Sequence, residues 1–407
     1  MKRLTVLPFK KDEYFVCMIP HLAYVFLHDK PVTSIQLTDD EYKRIVQDLD
    51  DLNKSLITKQ PSRLFIITNT DCHGRCKYCY EASYRTKPLK LYLDDLKQAI
   101  SKLNMDSIEN VILYGGEPFL DPEHTFDIIA FIQDDLKCRN VHVVTSLFYD
   151  DNTFLKVLSF CQNRNVSLTI SMDPPSKDYP RIYKNENVYD FLLRRIQVIA
   201  ETTDIIFGIR STISNWAYDG VQQFKDVNSI CHKPISINFD LIKGFDIEQD
   251  KLFYFIQSWC SFSKEVIKHL LGRTFGTIFH PSFNALLKGQ SLISILKNCD
   301  AGRGRIAILP NGKLTLCNED VTGQNDLRFD YDTIYPFDEL CHTCMFKYTC
   351  GYHCFTIDKR FRNNYCSFHT SLFIESFRQF IRIRALDEID EWINKQPIQL
   401  KLTGAST

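Results

Sequence analysis

Between residues 61 and 245 the chain alternates short apolar, β-branched runs with longer amphipathic stretches. The runs at 63–69, 109–114, 140–145, 166–172, 205–213 and 234–242 read as strands buried on both faces. The stretches 93–104, 123–136, 151–164, 188–202 and 217–228 repeat apolar residues at helical spacing. Six strand–helix units of this kind predict an α/β fold with a parallel sheet, an open, partial (β/α)6 barrel of the TIM type. Ligands in such sheets sit at the carboxyl ends of the strands, so the chemistry is expected there.

The pattern changes on either side of this core. Residues 1–60 read as two strands, about 3–18 and 22–29, and a helix from Asp39 to about Asn53. Thr38 is its N-cap and Glu41 completes a capping box. This extension is expected to serve peptide binding. Residues 246–298 form a linking segment, helical over about 247–272. A cysteine-rich module covers 299–370, and 371–407 hold a C-terminal helix, Ser371–Lys395, with a tail. The helix is expected to pack back on the body. No internal repeat and no low-complexity tract is visible.

Composition narrows the function classes. The chain has 407 residues, 44% hydrophobic and 24% charged, ordinary values for a globular protein. A formal net charge of −1 points neither to nucleic acid nor to an acidic membrane surface. The apolar run Phe15–Leu27 is interrupted by Pro20 and His21 and is too short for a membrane span. A cytoplasmic, reducing location is expected.

Of 15 cysteines, three fall in one short run, Cys72-x-x-x-Cys76-x-x-Cys79, directly after the first strand of the core. An iron–sulfur cluster built for electron transfer normally takes four cysteines. Three thiolates on a cubane leave one iron open to a substrate or cosubstrate. A zinc site is the alternative, but zinc usually pairs one C-x-x-C with a second. The second strand ends in Tyr114-Gly115-Gly116-Glu117-Pro118. Glycines there let a ligand approach the backbone, and a carboxylate can hold an ammonium group.

The triad, with the aromatic Tyr78 between Cys76 and Cys79, followed by Gly-Gly-Glu-Pro, resembles the radical S-adenosylmethionine (SAM) enzymes. The resemblance covers about 61–370 and implies the same partial barrel. It implies a [4Fe–4S] cluster on Cys72, Cys76 and Cys79. Gly115, Gly116, Glu117 and Pro118 would grip the SAM amino group, and Tyr78 would lie near the adenine. Reductive cleavage of SAM to a 5′-deoxyadenosyl radical, which takes a hydrogen atom from substrate, is the implied reaction. Thr145-Ser146-Leu147 stands where relatives carry a Thr-Asn-Gly-like turn, which makes Ser146 a SAM contact. Ser171-Met172-Asp173-Pro174 resembles a Ser-x-Asp-Gly segment, with Ser171 a SAM or substrate contact and Asp173 a candidate catalytic group.

A second window holds Cys299, then Gly312-x4-Cys317, Cys341, Cys344, Cys350, Cys354 and Cys366. It resembles the SPASM extension, whose seven cysteines carry two auxiliary [4Fe–4S] clusters, three clusters in all. The resemblance divides them as Cys299, Cys317 and Cys354 on the first, and Cys341, Cys344, Cys350 and Cys366 on the second. Read alone, Cys341/Cys344 with Cys350/Cys354 also fits a zinc ribbon. Cys17, Cys138, Cys161, Cys231 and Cys260 show no spacing and read as small buried hydrophobes.

SPASM enzymes mostly modify peptides and proteins. The leading expectation is a maturase that introduces a thioether or other cross-link into a ribosomally made peptide, served by an electron donor such as flavodoxin or ferredoxin. The first alternative is a sulfatase maturase forming formylglycine. Those enzymes carry Asp directly after the Gly-x4-Cys cysteine, where this chain has Asn318, followed by Glu319, a second candidate catalytic group. A non-catalytic iron–sulfur or zinc scaffold is the alternative of another class.

Overall fold

A computed structural model describes residues 1–55, 62–79, 81–82, 86–103, 108–176, 179–184, 187–213, 220–231, 235, 237–241, 304–318, 344–346 and 362–396. The expected linking segment, Cys260, Cys299, Glu319, Cys341, Cys350 and Cys354 lie outside these residues. The described residues fall into two compact units.

The first unit begins with β1 (Lys2–Thr5), β2 (Leu7–Lys11), β3 (Tyr14–Ile19), β4 (Tyr24–His28), β5 (Ser34–Leu37) and α1 (Asp39–Ser55). Strands β2, β3 and β4 form an antiparallel sheet, and β1 pairs with β5. The run at 3–18, expected as one strand, is therefore three. The turn between β2 and β3 uses Asp12 at φ 54°, a left-handed conformation that Asp tolerates, and no glycine marks it in the sequence. Helix α1 carries the expected capping box. Thr38 Oγ1 accepts the Glu41 N–H at 3.2 Å, and the Glu41 carboxylate accepts the Thr38 N–H at 2.8 Å.

The second unit alternates as the apolar pattern predicts. Its elements are β6 (Arg63–Ile67), α2 (Leu93–Ser101), β7 (Asn110–Tyr114), α3 (Pro122–Ala130), β8 (Asn140–Thr145), α4 (Asp151–Asn163), β9 (Ser167–Ser171), α5 (Val188–Thr202), β10 (Phe207–Ile213), α6 (Gly220–Cys231) and β11 (Ile237–Leu241). Asp121, Asp150 and Asn187 cap α3, α4 and α5 by accepting backbone N–H groups of the first turn. Strands β6 to β11 are parallel neighbours in chain order. A hairpin extends the sheet beyond β6. Its first strand, β12 (Arg305–Ile308), is parallel to β6, and β13 (Leu314–Thr315) runs antiparallel to it. Gly312 takes φ 73° in the hairpin turn, a conformation glycine adopts without strain. That turn delivers Cys317 just beyond β13.

Period-two alternation splits the residues of the parallel strands into two faces. Leu64, Ile66, Val111, Leu113, Val143, Leu168, Ile170 and Ile209 are fully buried, as are Ile128, Ile129, Val157, Leu192, Ile196 and Ile199 of the helices. Each such side chain contributes roughly 1.5–3 kcal/mol. The other face is polar and half-buried, with Tyr114, His142, Thr169, Ser171, Arg210 and Thr212. Here His142 Nδ1 bonds Ser167 Oγ at 2.6 Å, and Nε2 bonds Thr169 Oγ1. Burial pushes the His142 imidazole down to about 4. The unfolded chain therefore binds this proton more readily, and stability falls as pH drops from the ordinary histidine value near 6.5 towards 4. His142→Gln is expected to flatten that part of the stability–pH curve in urea titrations. An unchanged slope would mean that His142 titrates normally.

Two further helices complete the first unit, α7 (Arg362–Ile383) and α8 (Leu386–Asn394). Phe377 of α7 meets Phe9 of β2 edge-on at 5.1 Å, and Phe380 meets Trp392 of α8 at 5.3 Å. The C-terminal helix read as continuous thus breaks at Arg384 and Ala385. The Glu388 carboxylate accepts the Ala385 N–H at the new start. Among the described residues no helix is long and apolar enough to cross a membrane.

Candidate active site

Three segments meet at the carboxyl edge of the sheet: the cysteine loop after β6, the Gly-Gly turn after β7 and the end of β8. The first two are bound backbone to backbone. Gly116 N–H donates to Asn69 O at 2.9 Å and Glu117 N–H to Asp71 O at 2.8 Å. The Asn69 amide donates to Glu117 O at 3.0 Å and accepts from Asp71 N–H at 3.0 Å. A Cβ on Gly115 would lie 2.4 Å from Asn69 O, and one on Gly116 2.1 Å from Asp71 O. Gly115 also takes φ 149°. The glycines are thus required first by the chain's own cysteine loop, which approaches closer than a ligand would need.

Glu117 is placed differently from the expectation of an ammonium-facing carboxylate. It is fully buried. Oε1 accepts Thr145 Oγ1–H at 2.7 Å and Phe119 N–H at 3.2 Å. Oε2 accepts Ser146 N–H at 2.7 Å and Ser146 Oγ–H at 2.5 Å. These donors use the four lone-pair positions of a carboxylate. Burial raises its pKa, and the bonds from Ser146, Thr145 and Phe119 oppose that rise. Glu117 therefore ties the Gly-Gly turn to the end of β8. Pro118, buried beside it, opens the short 3-10 turn Pro118–Leu120. Among the described residues no donor meets the Gly115 or Gly116 carbonyl oxygens, which leaves backbone acceptors at this turn for an ammonium group.

Ser146, expected as a SAM contact, spends its hydroxyl on Glu117. The next residue, Leu147, takes φ 59°, the left-handed geometry that a Gly in this turn would adopt freely. Arg195 holds it there: Nη1 donates to Leu147 O at 2.7 Å and Nη2 to Asp151 at 2.8 Å, with the guanidinium 4.5 Å from the Phe154 and Phe191 ring centres. The following Phe148 closes on the cysteine loop. Its carbonyl bonds His73 Nδ1 at 2.9 Å, and its ring fills the space beside Gly74.

Cys72 is buried, and Cys76 and Cys79 are half-buried, none of them in a disulfide. Gly74 N–H points at Cys72 Sγ (3.2 Å), and Arg181 Nη1 lies 4.0 Å from Cys76 Sγ. Among the described residues no three His, Cys, Asp or Glu side chains converge as a single metal ion requires. A cubane carries its thiolates on separate irons and so spaces them further apart. Three cysteines on one loop, outside any disulfide and with N–H groups directed at two of the sulfurs, fit a three-thiolate cluster.

Tyr78 and Asp173 come together from loops 95 residues apart: Tyr78 O–H donates to Asp173 Oδ2 at 2.6 Å. Burial drives the Tyr78 phenol well above its ordinary value. Asp173 is buried and also accepts from Thr212 N–H at 2.9 Å and Arg181 Nη2 at 3.1 Å. This candidate catalytic group is thereby fully engaged within the protein. Ser171 pairs in register with Arg210 on the polar face of the sheet, where the Tyr114 hydroxyl oxygen accepts from Arg210 Nη1 at 2.7 Å.

In the second cysteine window, Cys317 is buried with Arg305 Nη2 3.7 Å from its sulfur, and Cys344 Sγ accepts Phe346 N–H at 3.4 Å. Cys366 lies half-buried in α7. The cysteines without spacing contrast with these. Cys17, Cys138, Cys161 and Cys231 are buried, and burial lifts the thiol pKa of the first two and takes Cys161 to about 12. They are small hydrophobes, as their lack of pattern implied.

Residues 66–212 match the Radical SAM superfamily. That match takes in the cysteine loop, the Gly-Gly turn and strands β7 to β9, a little over a third of the chain. An uncharacterized protein of Archaeoglobus fulgidus is 26% identical over 133 residues, which is 32% of this chain and only 30% of that curated relative's length. Among solved structures, native anSMEcpe with bound AdoMet and Cp18Cys peptide aligns with a TM-score of 0.56 at 15% identity, over 79% of this chain and 98% of that one. SuiB of Streptococcus suis aligns with a TM-score of 0.51 at 12% identity, over 79% and 80%. SuiB bound to its precursor peptide SuiA aligns with 0.50 at 12% identity, over 81% and 80%. At these identities the likeness is one of fold. Domain match and fold agree with the radical SAM group expected from the sequence.

Proposed function

We propose that this radical SAM protein modifies a peptide or protein substrate, and that it cross-links a ribosomally made peptide. The observation that carries the reading is the meeting of a three-cysteine loop with the Gly115-Gly116 turn at one edge of a parallel sheet. Cys72, Cys76 and Cys79 hold a [4Fe–4S] cluster, which supplies one electron for reductive cleavage of SAM when both are bound. The Gly115 and Gly116 carbonyls receive the SAM ammonium, and Glu117 fixes those carbonyls in place from behind. Phe148 and Tyr183, both buried and stacked at 4.8 Å, pack against the loop at Gly74.

Cys317, Cys344 and Cys366, with Cys299, Cys341, Cys350 and Cys354, hold two auxiliary clusters in a SPASM module. The N–H groups at Cys317 and Cys344 support ligand roles for these sulfurs. The peptide partner is supported by fold neighbours solved with the Cp18Cys and SuiA peptides. Flavodoxin or ferredoxin is the electron donor, and the protein works in the cytoplasm. Asn318 disfavours formylglycine formation: it is buried, and its Oδ1 accepts from Cys317 Sγ at 3.8 Å, where a base would be needed.

Anaerobically reconstituted protein is expected to hold three cubanes, about twelve irons per chain. Saturation at four irons with zinc in the second window would overturn the SPASM part. Co-expression with a precursor peptide is expected to remove two hydrogens per cross-link, read by mass spectrometry. A formylglycine product would instead establish the sulfatase-maturase alternative.

A further inference from the structure

Arg181 brings a buried guanidinium to the cysteine loop from the segment after β9. Its side chain is only 8% exposed. Nη1 lies 4.0 Å from Cys76 Sγ. The opposite edge is locked on Asp173: Nη2 donates to Oδ1 at 3.1 Å, while Nε sits 3.0 Å from Oδ2, a charge contact off the hydrogen-bond axis. Tyr78 O–H and Thr212 N–H fix the same carboxylate, and the guanidinium carbon lies 5.5 Å from the Tyr78 ring centre. Two backbone bonds clamp the segment itself to the loop: Arg75 N–H to Ile182 O at 2.8 Å and Lys77 N–H to Pro180 O at 3.0 Å. A guanidinium stays ionised at any working pH, so this charge is permanent.

We propose that Arg181 is a positioning residue that sets the reduction potential of the cluster on Cys72, Cys76 and Cys79, with Asp173 orienting it. The inference rests on the cluster reading above. Reduction adds one electron to the cluster and its thiolates. A fixed positive charge and an N–H group at one sulfur stabilise that extra negative charge, more so where water is excluded. Asp173 keeps the positive edge of the Arg181–Asp173 pair toward sulfur. Its carboxylate is thereby withdrawn from proton transfer.

The test is a redox titration of anaerobically reconstituted full-length wild type, Arg181→Gln, Arg181→Lys and Asp173→Asn. It is followed by the part of the electron paramagnetic resonance spectrum that changes on adding SAM, which isolates this cluster from auxiliary ones. Arg181→Gln is expected to lower the reduced-to-oxidised ratio at a fixed potential about tenfold, a shift of about 59 mV for one electron. Arg181→Lys is expected to keep most of the wild-type value. Asp173→Asn is expected to shift the potential upward, because it uncovers the guanidinium charge. Loosening of the loop would move both residues' variants the same way and lower iron content. An unchanged potential in Arg181→Gln with full iron, or shifts of one sign in Arg181→Gln and Asp173→Asn, overturns the proposal. Should Arg181→Gln lose the cluster, Asp173→Asn still decides: a potential at or below the wild-type value in that variant overturns the proposal. A wild type with no SAM-responsive signal would overturn the cluster reading itself.

Discussion

Cys76→Ala is expected to release no 5′-deoxyadenosine from SAM while the sheet stays folded. Cys76 is half-buried on a loop outside the sheet, and it contributes no strand pairing and little apolar burial. Losing its side chain removes one of three thiolates, and two cannot hold a cubane with a single open iron. Activity should therefore fall by orders of magnitude, with the urea midpoint of the cluster-free protein within about 0.5 kcal/mol of wild type. Nucleoside analysis by mass spectrometry and denaturation curves measure the two effects separately. Cleavage retained in this variant would remove Cys76 from the cluster.

Glu117→Ala carries the opposite signature, a large loss of stability. It strands Thr145 O–H, Ser146 N–H, Ser146 O–H and Phe119 N–H in a site with no exposure. Each unsatisfied buried donor costs about 1–3 kcal/mol, so the total is about 3 kcal/mol or more even after partial relaxation. Urea denaturation of the cluster-free protein measures it directly. A midpoint near wild type, together with a specific loss of SAM affinity, would return the carboxylate to the ammonium-binding role suggested by the sequence. Glu117→Gln separates the contributions further, because its amide places an N–H group against an existing donor.

The core was legible because the strands write short β-branched apolar runs and the helices between them write one apolar face, although only one face of the sheet is fully buried and the other is polar and half-buried. The expected stretches 123–136, 151–164 and 188–202 begin within a residue of the helices that Asp121, Asp150 and Asn187 cap. What escaped were features with no local signature. Asp12 turns a hairpin without glycine. Strand β12 is only four residues long, too short to show a period, and joins the sheet beside β6, far away in sequence. The cysteine run and Gly-Gly-Glu-Pro stood out because metal ligation and close backbone approach each permit few residue types. Arg181 carried no such restriction. Its pairing with Asp173 and Cys76 joins positions eight and 105 residues apart. Glu117 was visible as a residue but not in its orientation, which depends on Thr145 and Ser146 at the end of another strand. Leu147 disguised its turn in the same way, since Arg195 supplies the restraint that a glycine would have made unnecessary.

The central claim is that this chain cleaves SAM reductively through the Cys72/Cys76/Cys79 loop. Wild-type protein, reconstituted with iron and sulfide without oxygen and mixed with SAM and dithionite, tests it most directly. The account predicts a cubane signal in the electron paramagnetic resonance spectrum that shifts on adding SAM, with formation of 5′-deoxyadenosine and methionine. Intact SAM beside a protein that binds zinc instead of iron on these cysteines would contradict it.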